Sequence, residues 1–196
     1  WQDGSSFSLL DHSISELSGK KLGIVGFGVL GKGVAKAASI LGMEVLICES
    51  FDPNKKSEDS LDRIGFDELL CSSDVISLHC PLTKETDGIF NDDAFEKMKS
   101  SAILINTARG GLVNNEALIK AIENKSIAGA GIDVLDQEPP SSDHPLMQKD
   151  YTNLILTPHI AWAAREARQR ALDRIADNIE AFQKGKPINV VKPRAL

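Results

Sequence analysis

The sequence predicts an α/β protein built on a doubly wound parallel sheet, and two observations support this fold class. Apolar runs of strand length alternate with amphipathic helical segments from about residue 21 to about residue 157, a pattern typical of a parallel sheet with helices on its faces. A glycine-rich turn joins the first of these strands to the first helix. The 196 residues, 42% of them hydrophobic, suffice for one domain, or for one large and one vestigial domain.

The first strand and helix surround the turn Gly26-Phe27-Gly28-Val29-Leu30-Gly31. Lys21 to Val25 reads as a buried strand, and an apolar helical face follows until Gly42. In such a turn Gly26 allows the tight bend, Gly28 allows a pyrophosphate to approach, and Gly31 allows close helix–strand packing. We expect the amides of Gly28, Val29 and Leu30 to bind the anion at the positive end of the helix. The pattern predicts the phosphate-binding turn of a Rossmann fold.

The second strand, Met43 to Cys48, ends at Glu49, close to the spacing of about 20 residues expected for a ribose-binding carboxylate. A carboxylate there accepts hydrogen bonds from the adenine-ribose hydroxyls and repels a 2′-phosphate. Because Ser50-Phe51-Asp52 adds no cation, the sequence favours NAD over NADP. The competing interpretation is a purely structural glycine turn with a surface Glu49.

The remaining elements continue the alternation. We predict helices over 66–70, 91–98, 116–122 and 163–184, strands over 74–79, 102–108, 127–134 and 154–158, and a loop over 136–152. The last helix carries an apolar stripe that we expect to pack on the sheet; it consists of Ala167, Ala171, Ile175, Ile179 and Phe182.

Charge and composition argue against several classes of protein. The net charge is −6 without a basic block, so we expect no nucleic-acid partner, whose binding requires neutralised phosphates. No apolar run approaches the roughly 20 residues that span a bilayer, so we expect no membrane partner. Cys48, Cys71 and Cys80 are odd in number, lack metal-ligand spacing and suit reduced thiols. With no signal-peptide pattern at the N-terminus, we expect a cytoplasmic protein without a metal site.

Three charged or titratable residues lie at or just past the ends of strand-like runs, namely Arg109, Glu138 and His159. Since ligands bind outside the carboxyl ends of strands in an open parallel sheet, these residues can converge on one crevice. An arginine fork binds a carboxylate through two hydrogen bonds, and an imidazole exchanges protons near neutral pH. Together they predict the reduction of a 2-keto acid.

Little chain lies outside the predicted sheet. About 20 residues precede the first strand and about a dozen follow the last helix. Since hydride transfer needs a pocket that excludes water, we expect the substrate domain to be largely missing. The predicted organisation is an N-terminal crossing segment over 1–19, a dinucleotide-binding domain over 20–184, and a C-terminal crossing over 185–196.

The chain resembles the D-isomer-specific 2-hydroxyacid dehydrogenase family over essentially its whole length. The matching stretches are Gly23-Ile24-Val25-Gly26-Phe27-Gly28-Val29-Leu30-Gly31, His79-Cys80-Pro81-Leu82-Thr83, Asn106-Thr107-Ala108-Arg109-Gly110-Gly111, Gly131-Ile132-Asp133-Val134 and Thr157-Pro158-His159-Ile160-Ala161-Trp162. Within the family, the last stretch and Glu166-Ala167-Arg168-Gln169-Arg170 look most like glycerate dehydrogenases, also called hydroxypyruvate reductases.

This resemblance implies the roles of the catalytic residues. Arg109 is similar to the substrate-binding arginine, His159 to the acid/base, and Glu138 to the carboxylate that orients and charges the imidazole. A surface arginine and a solvated loop carboxylate are the alternatives for Arg109 and Glu138. The resemblance also implies a homodimer.

Further positions are expected to line the cofactor. Asp133 could accept a hydrogen bond from the nicotinamide carboxamide, or it could cap the following turn. The other positions are Cys80, Pro81, Thr107, Ala108 and Ala161, together with Arg109 and His159. His79 could approach the cofactor or be structural, whereas His12 and His144 are expected to be solvated.

The function predicted is an NAD-dependent oxidoreductase of small 2-keto and 2-hydroxy acids, with hydroxypyruvate and D-glycerate favoured. One alternative is the reduction of glyoxylate or another 2-keto acid. The other is a non-enzymatic, dinucleotide-sensing interaction module; a sensor needs only the glycine turn and Glu49, so the Arg109, Glu138 and His159 set argues against it.

Overall fold

The computed structural model describes residues 14–52 and 60–191. In this part of the chain six strands form one sheet, every neighbouring pair is parallel, and the strand order is β2-β1-β3-β4-β5-β6. The strands are β1 (Lys21–Val25), β2 (Glu44–Ile47), β3 (Val75–Leu78), β4 (Ile103–Asn106), β5 (Gly129–Ile132) and β6 (Leu154–Leu156). The predicted doubly wound parallel sheet is confirmed. His12, like most of the predicted N-terminal crossing, lies outside the described residues.

Five α-helices accompany the strands in the described residues. They are α1 (Val29–Ile40), α2 (Phe66–Ser72), α3 (Asp92–Lys97), α4 (Asn115–Glu123) and α5 (Arg165–Gln183), and short 3₁₀ turns cover Gly110–Leu112 and Pro145–Met147. α1 ends where the sequence predicted, because Gly42 follows its C-cap with φ +80°, a left-handed conformation that glycine adopts without strain.

Alternate residues of β1 show that helices cover both faces of the sheet. Leu22 and Ile24 pack with Ala38 of α1. The residue between them, Gly23, faces the other way, where an added Cβ would lie 2.8 Å from the side chain of Leu69 in α2. This opposite face carries the larger buried cluster, which α2, α3 and α4 share with the central strands. The two-sided burial explains why the strands are nearly continuous apolar runs.

A single carboxylate, that of Asp74, ties the amino ends of three strands together. Its Oδ2 accepts a hydrogen bond of 2.8 Å from the amide of Lys21 at the start of β1. Its Oδ1 accepts one of 2.9 Å from Nζ of Lys99, which precedes β4. Both bonds favour the charged carboxylate, and the pKa of Asp74 lies below its usual value, chiefly because of the Lys21 amide and secondly because of Lys99.

The carboxyl ends of the strands all lie at the opposite edge of the sheet. This edge carries the glycine turn after β1, Glu49 after β2, Cys80 after β3 and Arg109 after β4. β1 is flanked by β2 and β3, so the chain reverses its direction of winding there. This switch point is where open α/β sheets form their ligand crevice.

The chain divides into two compact units, Trp1–Thr157 and Pro158–Leu196. α5 forms where the apolar periodicity predicts it, and the expected packing of its stripe on the sheet stays a prediction. None of its residues is buried, and Phe182 is 74% exposed. The second unit has a single helix among its described residues, and one helix cannot bury its own apolar face. No helix in the described ranges is both long enough and apolar enough to cross a membrane.

Candidate functional site

The glycine turn at the switch point is held by two close approaches. A Cβ on Gly26, whose φ is +98°, would lie 2.3 Å from the backbone nitrogen of Cys80. A Cβ on Gly31 would lie 2.2 Å from the carbonyl oxygen of Gly26. Real Cβ contacts are never this short, so both positions require glycine. Gly28 differs, because no atom of the described residues lies within 4 Å of the position of its Cβ. The space beside Gly28 is therefore open to a ligand.

The N-terminus of α1 adjoins this open space. Gly28 is the N-cap, and within the described residues the helix start has neither a side-chain cap nor an acidic residue in its first turn. Val29 and Leu30 are 90% and 72% exposed. The first amides of a helix need partners, and its positive end attracts anions. The turn and helix start thus fit the pyrophosphate of a dinucleotide.

Glu49 lies at the same edge, two residues beyond the end of β2. Its backbone amide donates a 3.0 Å hydrogen bond to the carbonyl of Ile64, and Cys48 forms a bridge with the same residue. The side chain of Glu49 is exposed. The carboxylate is therefore held by its backbone beside the glycine turn and remains open to a ribose.

The two cysteines beside the turn are buried. Burial raises the pKa of the Cys48 thiol to about 12 and that of the Cys80 thiol to about 11. Both thiols stay protonated near neutral pH, so neither is an activated nucleophile. Cys48 is a small residue of the core. Cys80 contributes its backbone, which packs against Gly26, and the exposed Pro81 follows it.

The Arg109 loop is built around Asn106, a residue that sequence reasoning did not single out. Asn106 ends β4 and is fully buried. Its Oδ1 accepts a 3.0 Å hydrogen bond from the amide of Ala108, and its Nδ2 donates a 2.9 Å bond to the carbonyl of Arg109. A buried amide must satisfy both groups, so the side chain fixes the loop. The available signal was a polar residue closing an apolar strand.

Arg109 itself is exposed, as is Thr107, while Ala108 is half-buried. The guanidinium donates a 2.6 Å hydrogen bond from Nη1 to the carbonyl of Ala108. This contact directs the side chain back along its own loop, and the exposed guanidinium is accessible to an anionic ligand.

The glycine after Arg109 joins this loop to the loop that carries Glu138. A Cβ on Gly110 would lie 1.9 Å from the carbonyl carbon of Leu135 and 2.2 Å from the amide nitrogen of Asp136. In the second loop the amide of Leu135 donates a 2.8 Å hydrogen bond to Oε1 of Glu138. The structure therefore brings the Arg109 and Glu138 loops into backbone contact, with both side chains exposed.

Asp133 follows β5 and is buried. Its amide donates to the carbonyl of Asn106, and its Oδ1 accepts a 2.5 Å hydrogen bond from the hydroxyl of Thr157. The carboxylate thus links the ends of β5 and β6. Its predicted contact with a nicotinamide stays a prediction.

His159 belongs to the second unit and is described within it. Its φ is +51°, its side chain is exposed, and its carbonyl accepts a 2.8 Å hydrogen bond from Nε1 of Trp162. Ala161, in the same turn, is also exposed. Arg109 and Glu138 therefore lie on adjoining loops of the first unit, whereas their meeting with His159 stays a prediction.

The expectation that His144 is solvated is wrong. Its side chain is 4% exposed. Both ring nitrogens have hydrogen-bond partners within the protein: Nε2 lies 2.9 Å from Oδ1 of Asp136, and Nδ1 accepts from the amide of Leu146. His79 is half-buried with Nε2 2.9 Å from the hydroxyl of Ser77, and desolvation lowers its pKa. This geometry favours the structural interpretation of His79. The described ranges contain no group of three or more metal-ligating side chains.

Comparison with known proteins identifies the family. Residues 2–161 match the family described as D-isomer specific 2-hydroxyacid dehydrogenase, NAD binding domain. The chain belongs to this family. It is 47% identical to a glycerate dehydrogenase of Methylorubrum extorquens, over 98% of this chain and 59% of the relative. It is 40% identical to a hydroxypyruvate reductase of Blautia hydrogenotrophica, over 97% of this chain and 59% of the relative.

The fold agrees with solved structures of the family. A D-lactate dehydrogenase from Aquifex aeolicus, crystallised with NAD and lactic acid, superposes with a TM-score of 0.78 at 34% identity, over 92% of this chain and 58% of the other. The family and the open glycine turn agree on a dinucleotide as the ligand of this edge. The chain spans about three fifths of the length of the glycerate dehydrogenase and of the hydroxypyruvate reductase.

Proposed function

We propose that this chain is the NAD-binding domain of an enzyme that reduces a small 2-keto acid to the D-2-hydroxy acid and catalyses the reverse oxidation. The observation that carries the proposal is the backbone contact of Gly110 with Leu135 and Asp136. This contact brings an exposed arginine and an exposed carboxylate to the same edge as the open glycine turn. The likeness to glycerate dehydrogenase and hydroxypyruvate reductase supports hydroxypyruvate and D-glycerate as the substrate pair.

Each part of the dinucleotide has residues that suit it. The amides of Gly28, Val29 and Leu30 would hold the pyrophosphate, and Glu49 would accept from the adenine ribose. Cys80, Pro81, Thr107, Ala108, Asp133 and Ala161 are proposed to line the rest of the cofactor, with Arg109 and His159 at the nicotinamide end. The exposed carboxylate of Glu49 favours NAD, because it would repel a 2′-phosphate. When bound, the dinucleotide supplies the hydride for the reduction.

The side chains of this chain would carry the acid–base chemistry. Arg109 binds the substrate carboxylate through its planar fork and polarises the neighbouring carbonyl. His159 donates a proton to the keto oxygen and, in the oxidation direction, accepts the proton of the alcohol. Glu138 favours the charged imidazolium and orients its ring. The Leu135 amide fixes Oε1 of Glu138, so this carboxylate is pre-organised for its partner.

The test is steady-state reduction of hydroxypyruvate by the complete protein and its variants. Arg109→Ala should lower kcat/KM at least about a hundredfold, since a charged binding group is lost. His159→Ala should lower kcat by roughly 10² to 10⁴, as expected for a general acid. NADH binding, measured by fluorescence titration, should change little in either variant.

Arg174→Ala serves as the matched control, because Arg174 is an exposed arginine on α5; its turnover should be normal. Near-normal turnover of Arg109→Ala or His159→Ala would remove that residue from the mechanism. Faster reduction of glyoxylate than of hydroxypyruvate would reassign the substrate. NADH binding by a complete protein that reduces no 2-keto acid would favour a dinucleotide-sensing module instead.

We further propose the domain organisation and the assembly. Residues 20–184 are the dinucleotide-binding domain, with crossings over 1–19 and 185–196 to a substrate domain. The exposed apolar side chains of Ile40 and Leu41 at the end of α1 support a homodimer, which sedimentation of the complete protein would detect as twice the chain mass. The unpaired cysteines support a cytoplasmic location, which cell fractionation would test.

A further inference from the structure

The buried imidazole of His144 lies at the centre of a network that the proposed mechanism does not use. Its Nδ1 accepts a hydrogen bond from the amide of Leu146 at 3.3 Å, so the ring proton is on Nε2. This Nε2–H therefore donates to Oδ1 of Asp136, 2.9 Å away. Both nitrogens of the ring thus have hydrogen-bond partners.

Asp136 receives a second hydrogen bond at the same oxygen. Nδ2 of Asn115, the first residue of α4, donates to Oδ1 at 2.7 Å. The pKa of Asp136 lies below its usual value, chiefly because His144 donates to the carboxylate and secondly because of Asn115. The charged carboxylate is thus anchored to α4 and to the 3₁₀ turn Pro145–Met147, whose Leu146 is buried in the core.

The backbone beside Asp136 contacts both proposed site loops. The Leu135–Asp136 peptide packs on Gly110, directly after Arg109. The amide of Leu135 donates to Oε1 of Glu138. A shift of Asp136 would therefore displace the arginine loop and the carboxylate together. Displacements of about 1 Å at a catalytic group cost up to roughly a hundredfold in rate.

We propose that His144 is a positioning residue, which with Asn115 anchors Asp136 and thereby sets the placement of both Arg109 and Glu138. This inference rests on the proposed function, because positioning has a kinetic effect only if those two side chains act on a substrate. The two partners are distant from His144 in sequence: Asp136 is 8 residues away and Asn115 is 29 residues away. No short sequence motif contains all three residues.

A pair of substitutions separates the two hydrogen bonds of the ring. In His144→Asn the side-chain oxygen can replace Nδ1 and still accept from Leu146, but no donor reaches Asp136. In His144→Gln the longer amide can replace Nε2 and donate to Asp136. We expect His144→Asn to lower kcat/KM for the keto acid in the complete protein at least about tenfold, and His144→Gln to recover most of that loss. NADH binding should be retained in both.

Substitutions of Asp136 separate geometry from charge. Asp136→Asn keeps Oδ1 as the acceptor for both donors, whereas Asp136→Ala removes it. Positioning predicts a larger loss for Asp136→Ala. Asn91→Ala is the control for destabilisation alone, because Asn91 caps α3 through the amide of Ala94; it should lower Tm without changing kcat. Equal losses in His144→Asn and His144→Gln, or normal kinetics in His144→Asn, would overturn the inference.

A second measurement does not depend on activity. The amide of Leu135 should exchange its hydrogen faster in His144→Asn than in the parent chain, while the amide of Asp133, which donates to Asn106, should keep its rate as an internal reference. Unchanged exchange at Leu135 would overturn the inference even with a working enzyme. A complete protein without keto-acid turnover would instead overturn the proposed function, and faster exchange at Leu135 would still support the anchoring of Asp136.

Discussion

Gly110 shows how a single residue can determine the geometry of a site. The position next to Arg109 has no room for even one carbon, since an added Cβ would overlap the Leu135–Asp136 peptide. The two loops touch through their backbones and not through side chains. Gly110 and Leu135, which make this contact, are 25 residues apart in sequence. Only glycine allows so close an approach of two backbones.

We therefore predict that Gly110→Ala lowers both stability and turnover. The two loops must separate to admit the methyl group, which should cost about 1 to 3 kcal/mol of unfolding free energy, as other overpacked sites do. Urea unfolding of the chain and kcat/KM of the complete protein measure the two effects.

Gly33→Ala is the matched control for this substitution. Gly33 lies within α1, and in the part of the chain that the structure describes no atom comes within 4 Å of the position of its Cβ. Alanine should raise the unfolding free energy there by up to about 1 kcal/mol through helix propensity. A Gly110→Ala variant as stable and as active as the parent would show that the loop contact is dispensable.

The single residues that were predicted well are those whose role is local. Gly26 and Gly31 interact within one turn, so their spacing revealed both the bend and the close packing. His144 depends on partners in other elements, and a histidine before a proline in a polar loop gave no sign of burial. Asn106 was overlooked although its hydrogen-bond partners lie only two and three residues away, because a polar residue at the end of an apolar strand is equally compatible with exposure to solvent.

At the scale of elements, the periodicity of the apolar residues and the length of each apolar segment were sufficient to predict every strand and helix to within a few residues. The same pattern does not determine what covers the α5 stripe. Periodicity shows which face of a helix is apolar, but it does not show what covers that face. A partner surface outside the helix decides burial, and a sequence pattern within the helix contains no information about it.

Asp74 links the amino ends of β1, β3 and β4. Its carboxylate predicts that the free energy of unfolding depends on pH. Its folded pKa is lowered, so its stabilisation is complete above the unfolded value of about 3.9 and is lost as pH falls through the folded pKa. Asp74→Asn should lower the unfolding free energy by about 1 kcal/mol at neutral pH, a modest figure since the side chain is 23% exposed. The difference between the variant and the parent should begin to shrink below about pH 4 and should close as pH falls further through the folded pKa.

The control for Asp74 is Glu123→Gln, which removes an exposed ion pair with Lys149. Exposed pairs contribute little, so this variant should follow the stability profile of the parent at all pH values. Denaturant unfolding from pH 3 to pH 7 makes the comparison. A constant difference between Asp74→Asn and the parent across that range would show that the carboxylate charge is not responsible.

At the scale of the whole molecule, the chain carries a nucleotide-binding sheet and the two adjoining loops of Arg109 and Glu138. It covers 59% of the length of the glycerate dehydrogenase. Its sheet, glycine turn and anchored loops are complete within the first unit. The proposed chemistry also needs His159 from the second unit and a surface that closes over the nicotinamide. The complete protein is therefore the object on which the mechanism must be tested.

The most direct measurement is a crystal structure of the complete protein with NADH and oxamate, an unreactive analogue of a 2-keto acid. We predict that the guanidinium of Arg109 holds the oxamate carboxylate, that His159 lies within hydrogen-bond distance of its carbonyl oxygen, and that Glu138 contacts the far side of the imidazole. If these three groups lie on separate surfaces, or face away from the nicotinamide, the proposed mechanism is wrong.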